Sequence, residues 1–232
     1  MLTFTLPDTL NEVARRNQKF IYSLFFQAAA AALQKLARDP KFVGGQLGFF
    51  GVLQTWARDL AYHPHIHFIV AGGGLSDDGT QWRALHGKFL VPVLALSKIF
   101  RAKFRDALKK KPELFAQVPP ETWQKDWVVH CEPVGSGKHA LKYLAPYISR
   151  VAISNRRLLR LENGHVTFQY RDGETKQIKT KTITAEEFIR RFLQHVLPYR
   201  FIKVRYYGFL SARHRPRLEK VMVVELAETK NC

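Results

Sequence analysis

The chain has 232 residues, with 37 Lys plus Arg against 19 Asp plus Glu and a formal net charge of +18. Hydrophobic residues make up 46% and aromatics 12%, enough for a core, which excludes a chain that is mainly disordered. Two cysteines, Cys131 and Cys232, exclude a Cys-based zinc cage and a disulfide scaffold. No apolar run reaches the ~18 residues of a membrane span, since the longest, 20–33, is interrupted by Tyr22, Ser23 and Gln27. The opening MLTFTLPDTLNE lacks the basic-then-apolar layout of a secretory signal. The expectation is a soluble, intracellular, basic globular protein whose natural partner is a polyanion, with no membrane role.

In chain order, residues 2–6 (LTFTL) alternate as a short strand that Pro7 stops. An Ala- and Leu-rich helical pattern covers 11–38 and ends at Asp39-Pro40. Residues 45–56 read as a buried, glycine-softened strand, and 65–71 as another that Gly72-Gly73-Gly74 ends, with a hairpin turn at Asp78-Gly79. Residues 92–111 form a basic amphipathic helix and 126–132 a strand, after which Gly135-Ser136-Gly137 leads into a helix to about Arg150. Asn163-Gly164 joins strands 158–161 and 165–170 in a hairpin, with a third strand at 177–183. Thr184-x-x-Glu187 is a capping box that opens a helix to about Val196, and 204–210 is a last strand. The class is α+β with an antiparallel sheet.

The positive charge is spread over five clusters, at 98–111, 150–160, 176–181, 190–205 and 213–220. Phe100, Phe104, Phe192, Tyr199, Phe201, Tyr206 and Tyr207 are interleaved with them. One such cluster is ordinarily a solvated face. Five without compensating acids repel one another in a compact fold unless a polyanion relieves them, so nucleic acid is the leading partner. The interleaved aromatics are candidates to stack on bases.

Residues 62–70 (YHPHIHFIV) hold three of the nine histidines. Strand period two puts His63, His65 and His67 on one face and Ile66 and Phe68 on the other, with Pro64 making the side of His63 the least determined. Two imidazoles at this spacing can both reach one divalent ion. A second constellation is KHALKYLAPYISR at 138–150, where His139, Tyr143 and Tyr147 share a helix face that Arg150 continues. By itself it reads as core-edge packing. A tyrosine beside a metal and cations is also a competent nucleophile.

A His-hydrophobic-His strand followed by a Tyr-x-x-x-Tyr helix resembles the HUH endonuclease superfamily. The matching text is LTFTLP at 2–7, LQTWARDLAYHPHIHFIVAGGGLSDDG at 53–79, LKYLAPYISRVAISNRRL at 141–158 and VRYYGFLS at 204–211. It is most similar to the two-tyrosine rolling-circle transposases of the insertion-sequence ninety-one type. The resemblance implies an antiparallel sheet flanked by helices, with the metal histidines on its central strands and the tyrosine helix alongside. Residues 1–212 would form this domain and 213–232 a basic, flexible tail. Members of this type usually begin with a Cys-rich zinc module before the LTFTLP strand, which this sequence lacks. Pro146 stands where the family usually has a basic residue, and it predicts a kink between the two tyrosines that favours Tyr143 over Tyr147.

The implied chemistry is nicking and rejoining of single-stranded DNA in the bacterial cytoplasm, in association with the nucleoid. His65 and His67 would hold Mg or Mn, with His139, His63 and Gln54 as candidate third ligands in that order. Tyr143 would attack to give a 5′-phosphotyrosine, and Tyr147 would serve a second transfer. Lys142, Lys138 and Arg150 would clamp phosphates, and Arg156 and Arg157 would contact the DNA backbone. Alternative readings are a plasmid or phage replication initiator or relaxase of the same chemistry, or a non-catalytic DNA-binding remnant of a transposase.

Overall fold

The alternation of LTFT sends Leu2 and Phe4 into a core and Thr3 and Thr5 to the opposite side, and this two-sidedness runs through the main sheet. The computed structural model describes residues 1–85, 90–135 and 152–214. Strand β1 (Leu2–Thr5) is followed by a 3-10 turn at Asp8–Leu10 and by helices α1 (Asn11–Arg16) and α2 (Gln18–Ala37). The single helix expected over 11–38 is therefore two. Asn17 leaves helical geometry (φ −129°, ψ 41°), and its side-chain amide donates to the Val13 carbonyl at 3.1 Å, satisfying the broken end.

Strands β2 (Gln46–Trp56) and β3 (Tyr62–Leu75) form the central ladder. β4 (Trp82–Ala84), α3 (Val93–Leu108), the short α4 (Pro112–Phe115) and β5 (Val129–Cys131) follow. The main sheet is antiparallel in the order β5-β1-β3-β2-β9, where β9 is Val204–Tyr207 and β4 extends the far end of β3. The strand expected over 126–132 is shorter than its sequence pattern. β3, by contrast, runs through the glycine triplet, because those glycines admit close neighbours: a Cβ at Gly73 would meet the Trp82 ring and one at Gly74 the Val43 side chain.

One face of the sheet is apolar. Phe4, Phe49 and Phe68 pack there under Phe25 and Phe26 of α2 and Phe100 of α3, with Phe4–Phe68 at 5.5 Å and Phe4–Phe100 at 5.2 Å, both near edge-to-face. Each such ring contributes about 1.5–3 kcal/mol on burial. α2 is long and apolar enough by length and composition to cross a membrane, which corrects the reading of the 20–33 stretch. Most of it is buried between the sheet and its neighbours, and this packing accounts for its composition.

A second antiparallel sheet, β6 (Leu158–Glu162), β7 (His165–Arg171) and β8 (Ile178–Thr184), carries α5 (Ala185–Leu193). The hairpin at Asn163-Gly164 and the Thr184 cap (Oγ1 accepting from Glu187 N–H at 3.3 Å) form as the sequence predicts, although α5 stops at Leu193. The turn between β2 and β3 joins the two sheets. Leu60 takes a left-handed backbone there (φ 66°) and is fully buried against Ala152, Ile153 and Phe168. Asp59 pairs with Lys181 at 2.8 Å, and the Arg157 guanidinium donates to the carbonyls of Arg58 and Gln169.

His195 closes this junction. Its Nε2–H donates to the Leu60 carbonyl (3.3 Å), its Nδ1 accepts from the Thr55 hydroxyl (3.2 Å), and its ring lies parallel to Tyr62. Burial pushes its pKa down to about 4, against a smaller upward effect of the Leu60 carbonyl.

Two outcomes follow for stability. The strand expected over 204–210 ends at Tyr207 because Gly208 turns with φ +59°, and a Cβ there would collide with the Leu47 carbonyl oxygen. Gly208→Ala therefore costs about 2 kcal/mol or more in urea unfolding, whereas Gly72→Ala, with open space around it, stays within about 0.5 kcal/mol. For His195, the unfolded chain binds a proton below about pH 6.5 and the folded chain only near pH 4. This group's contribution is thus complete above pH 6.5 and lost as pH falls towards 4. Denaturation of wild type and His195→Gln at both ends of that window should show a flatter pH dependence in the variant, by about 2–3 kcal/mol.

Candidate functional site

The polar face of the main sheet carries the histidines. In register, His67 of β3 lies between Thr3 of β1 and Val52 of β2, and His65 between Thr5 and Gln54. His63 continues the row despite Pro64, with ring centroids 5.4 Å apart for His63–His65 and 4.9 Å for His65–His67. Ile66 and Phe68 point into the apolar core, as the strand period requires.

Each central imidazole is held by its Nδ1. His65 Nδ1–H donates to the His63 carbonyl at 2.7 Å, and His67 Nδ1 lies 3.1 Å from the Thr3 hydroxyl. With Nδ1–H donated to Thr3, the nitrogen left to either ring for a metal would be Nε2, as where an outer partner fixes the tautomer of a metal ligand. Burial lowers the His65 pKa to about 4, with the neighbouring His63 carbonyl opposing and the His63 ring adding to the shift. The ring is accordingly neutral at physiological pH, as a ligand must be.

Gln54 is buried beside His65, and its Nε2 has no hydrogen-bond partner among the described residues. A half-turn of its amide would place Oε1 there, an oxygen suited to Mg or Mn. Among the described residues no group of three or more His, Cys, Asp or Glu is arranged to hold a metal ion, so the three histidines do not form a cage by themselves. The His65–His67 pair with Gln54 fits a divalent cation that completes its shell elsewhere.

His139, Lys138, Lys142, Tyr143, Tyr147 and Arg150 lie outside the described residues. Arg156 is exposed at the 3-10 turn Asn155–Arg157, whereas the Arg157 guanidinium is taken up by two backbone carbonyls. Among the interleaved aromatics, Phe100 and Phe104 are fully buried, which removes them as base-stacking candidates, while Tyr199 and Tyr206 are exposed. Sequence reasoning missed Thr3 and Thr5, although the alternation of LTFTL carries them to the histidine face. It also missed His130, which lies opposite Thr3 on β5 in the same row as His67, and for which no periodic signal exists in so short a strand.

A family model described as "Putative transposase" (Y2_Tnp) matches residues 48–217. Among curated proteins, the chain is 40% identical over 235 aligned residues to Putative transposase y4qJ of Sinorhizobium fredii, covering 92% of this chain and 58% of that protein. It is 31% identical over 232 residues to the transposase for insertion sequence element IS801 of Pseudomonas savastanoi pv. phaseolicola, covering 91% of this chain and 54% of that protein. The chain thus spans somewhat more than half the length of these curated relatives. No solved structure matches it. Because the family match takes in the β2–β3 ladder, the histidine row and the second sheet, the chain belongs to the Y2_Tnp transposase family.

Proposed function

We propose that this chain cuts and rejoins single-stranded DNA during rolling-circle transposition, in the manner of the insertion-sequence ninety-one type. The observation that carries the reading is the polar face on which His65 and His67 are each bonded through Nδ1 and a buried Gln54 lies opposite His65. That face stands in a chain whose curated relatives include a transposase for an insertion sequence element.

His65 and His67 would bind Mg or Mn, with Gln54 preferred as third ligand over His63, and with His139 a further candidate. A divalent ion held there would supply positive charge against a non-bridging oxygen of the phosphodiester as charge builds at phosphorus. The protein's own work is nucleophilic and electrostatic. The Tyr143 phenol loses its proton and its oxygen forms a bond to phosphorus. The bond from phosphorus to the 3′-oxygen breaks, and that oxygen leaves with a proton as a 3′-hydroxyl. The phosphotyrosine ester keeps the energy of the cut bond, so the reverse attack by a 3′-hydroxyl rejoins strands without an external energy source. Tyr147 would take a second strand in the same way. Lys142, Lys138, Arg150 and Arg156 would hold phosphates, and Arg157 would act by fixing the β6–β7 hairpin.

Incubation with Mn²⁺ and labelled single-stranded oligonucleotides from the element's ends, read on a denaturing gel, should give a covalent protein–DNA adduct. Tyr143→Phe should abolish it and His65→Ala should reduce it at least about a hundredfold. Absence of an adduct with any end sequence would overturn the enzymatic reading. An adduct that survives Tyr143→Phe but not Tyr147→Phe would reverse the order of the tyrosines.

Thr3 orients His67, so Thr3→Val should weaken Mn²⁺ binding about tenfold or more by calorimetry, and Thr3→Ser should retain it. Equal affinities for wild type and Thr3→Val would remove Thr3 from the site.

A further inference from the structure

The excess of positive charge is not carried everywhere. β6 and α5 together hold three arginines, Arg160, Arg190 and Arg191, against three glutamates, Glu162, Glu186 and Glu187. Arg160 pairs with Glu162 at 3.3 Å, and Arg190 and Arg191 share Glu187. This balanced surface is also apolar. A groove of about 460 Å³ opens between β6 and α5, lined by Leu158, Leu161, Val166, Phe188 and Ile189. Leu161 is 70% exposed and Ile189 54%, and Leu159 beside them is half exposed. An apolar and neutral surface in so basic a chain suits another protein surface rather than a polyanion.

β6 is an edge strand, since the second sheet has the order β6-β7-β8 and no other strand among the described residues pairs with its outer side. The Asn163-Gly164 turn sets the backbone direction at that edge. In a two-residue hairpin the closing pair, here Glu162 and His165, turns its N–H and C=O groups toward each other, so Leu161 turns both of its own outward. A second β6 running antiparallel, with a two-fold axis at Leu161, would satisfy these groups by exchanging hydrogen bonds between the two Leu161 residues. The same register sets Arg160 of each copy opposite Glu162 of the other, which gathers two arginines and two glutamates into one cluster. The bulge at Leu159 lies beyond this short ladder. Leu161 pairs with the buried Val166 and so lies on the α5 side, where the two leucines would meet and the two grooves join.

We infer that the β6 edge is an interface between two copies of this chain. The two three-stranded sheets join there into one antiparallel sheet, with α5 of each copy on the same face and the apolar groove closed between them. Opposite charges two residues apart favour this self-pairing, whereas like charges on an edge strand would oppose it. The inference does not depend on DNA cutting, and neither does its test.

Sedimentation velocity of the nucleic-acid-free full chain over a concentration series is the test. Wild type should pass from monomer to dimer with a dissociation constant on the order of 10 µM, as a small interface allows. Arg160→Glu gives the edge two acids, and Glu162→Arg gives it two bases. Each variant is repelled by its own copy and should dimerise at least about tenfold more weakly, while an equimolar mixture of the two should recover a dimer of near wild-type affinity. Recovery in the mixture cannot come from chains that have failed to fold. Leu161→Lys, which brings two like charges together at the two-fold axis, should weaken the dimer at least as much. A wild type that stays monomeric up to ~200 µM would overturn the inference. So would single variants that dimerise like wild type, or a mixture no more dimeric than its components.

Discussion

The pairing register of β2 with β3 is the constraint on which the site depends. Strand side chains alternate, so a slip of one residue would carry His65 and His67 into the apolar core and bring Ile66 and Phe68 to the polar face. Two features hold the register. Gly51 has no side chain where the Phe68 ring crosses β2, a position any Cβ would contest, so the ring fits in one alignment. Phe68 is then locked from other directions by Phe4, Phe49 and Tyr207. The aromatic core and the histidine row are two sides of one set of backbone hydrogen bonds. What stabilises the first also aims the second.

The distribution of charge has a similar two-sidedness. The sequence interleaves cations with aromatics in several places, and the structure separates these by helix period and strand face. On α3, Phe100 and Phe104 lie one turn apart and go inward, where they meet Trp127, while Arg101 and Lys103 between them lie at its partly exposed edge. There the aromatic belongs to the core and the cation to the solvent. On β9 the arrangement differs: Arg205 turns back over Phe26 and Phe201, and Tyr206 projects outward. The same composition thus yields a plain amphipathic helix in one place and an exposed ring on a strand edge in another. Only the secondary structure distinguishes them.

Much of the architecture was legible because period-two and period-3.6 patterns are local. The His-x-His strand, the hairpin at Asn163-Gly164 and the Thr184 cap each follow from a few adjacent residues. The Asn17 break was hidden, because Asn is tolerated within a helical pattern and the deciding contact, to Val13, is a matter of side-chain conformation. The glycines of β3 misled for a complementary reason. Gly-Gly-Gly reads as a terminator, yet Trp82 and Val43 arrive from elsewhere in the chain to fill the space. The supporting partners of the site fall between these cases. Thr3 could be placed on a face by alternation, but its pairing with His67 is a long-range register that no local pattern encodes. His195, 140 residues from Thr55 in sequence, carries no local signal at all.

The turn between β2 and β3 makes unequal demands on the two ends of the ladder. Residues 57–61 close the strand pair through Ala57–Ala61 hydrogen bonding, bury Leu60 in the second sheet and bring Asp59 to Lys181. Its length is thereby fixed twice over, once by the hairpin it closes and once by the cavity it fills. At the other end, the turn carrying Asp78 and Gly79 is exposed and bonded mainly within itself, through Ser76, Asp78 and Thr80, with one long, exposed contact from Asp77 to Arg38 at 3.9 Å. The hairpin therefore has one place that tolerates added chain and one that does not. A tag or fusion introduced into this hairpin belongs at the outer turn, where added chain leaves the histidine register untouched.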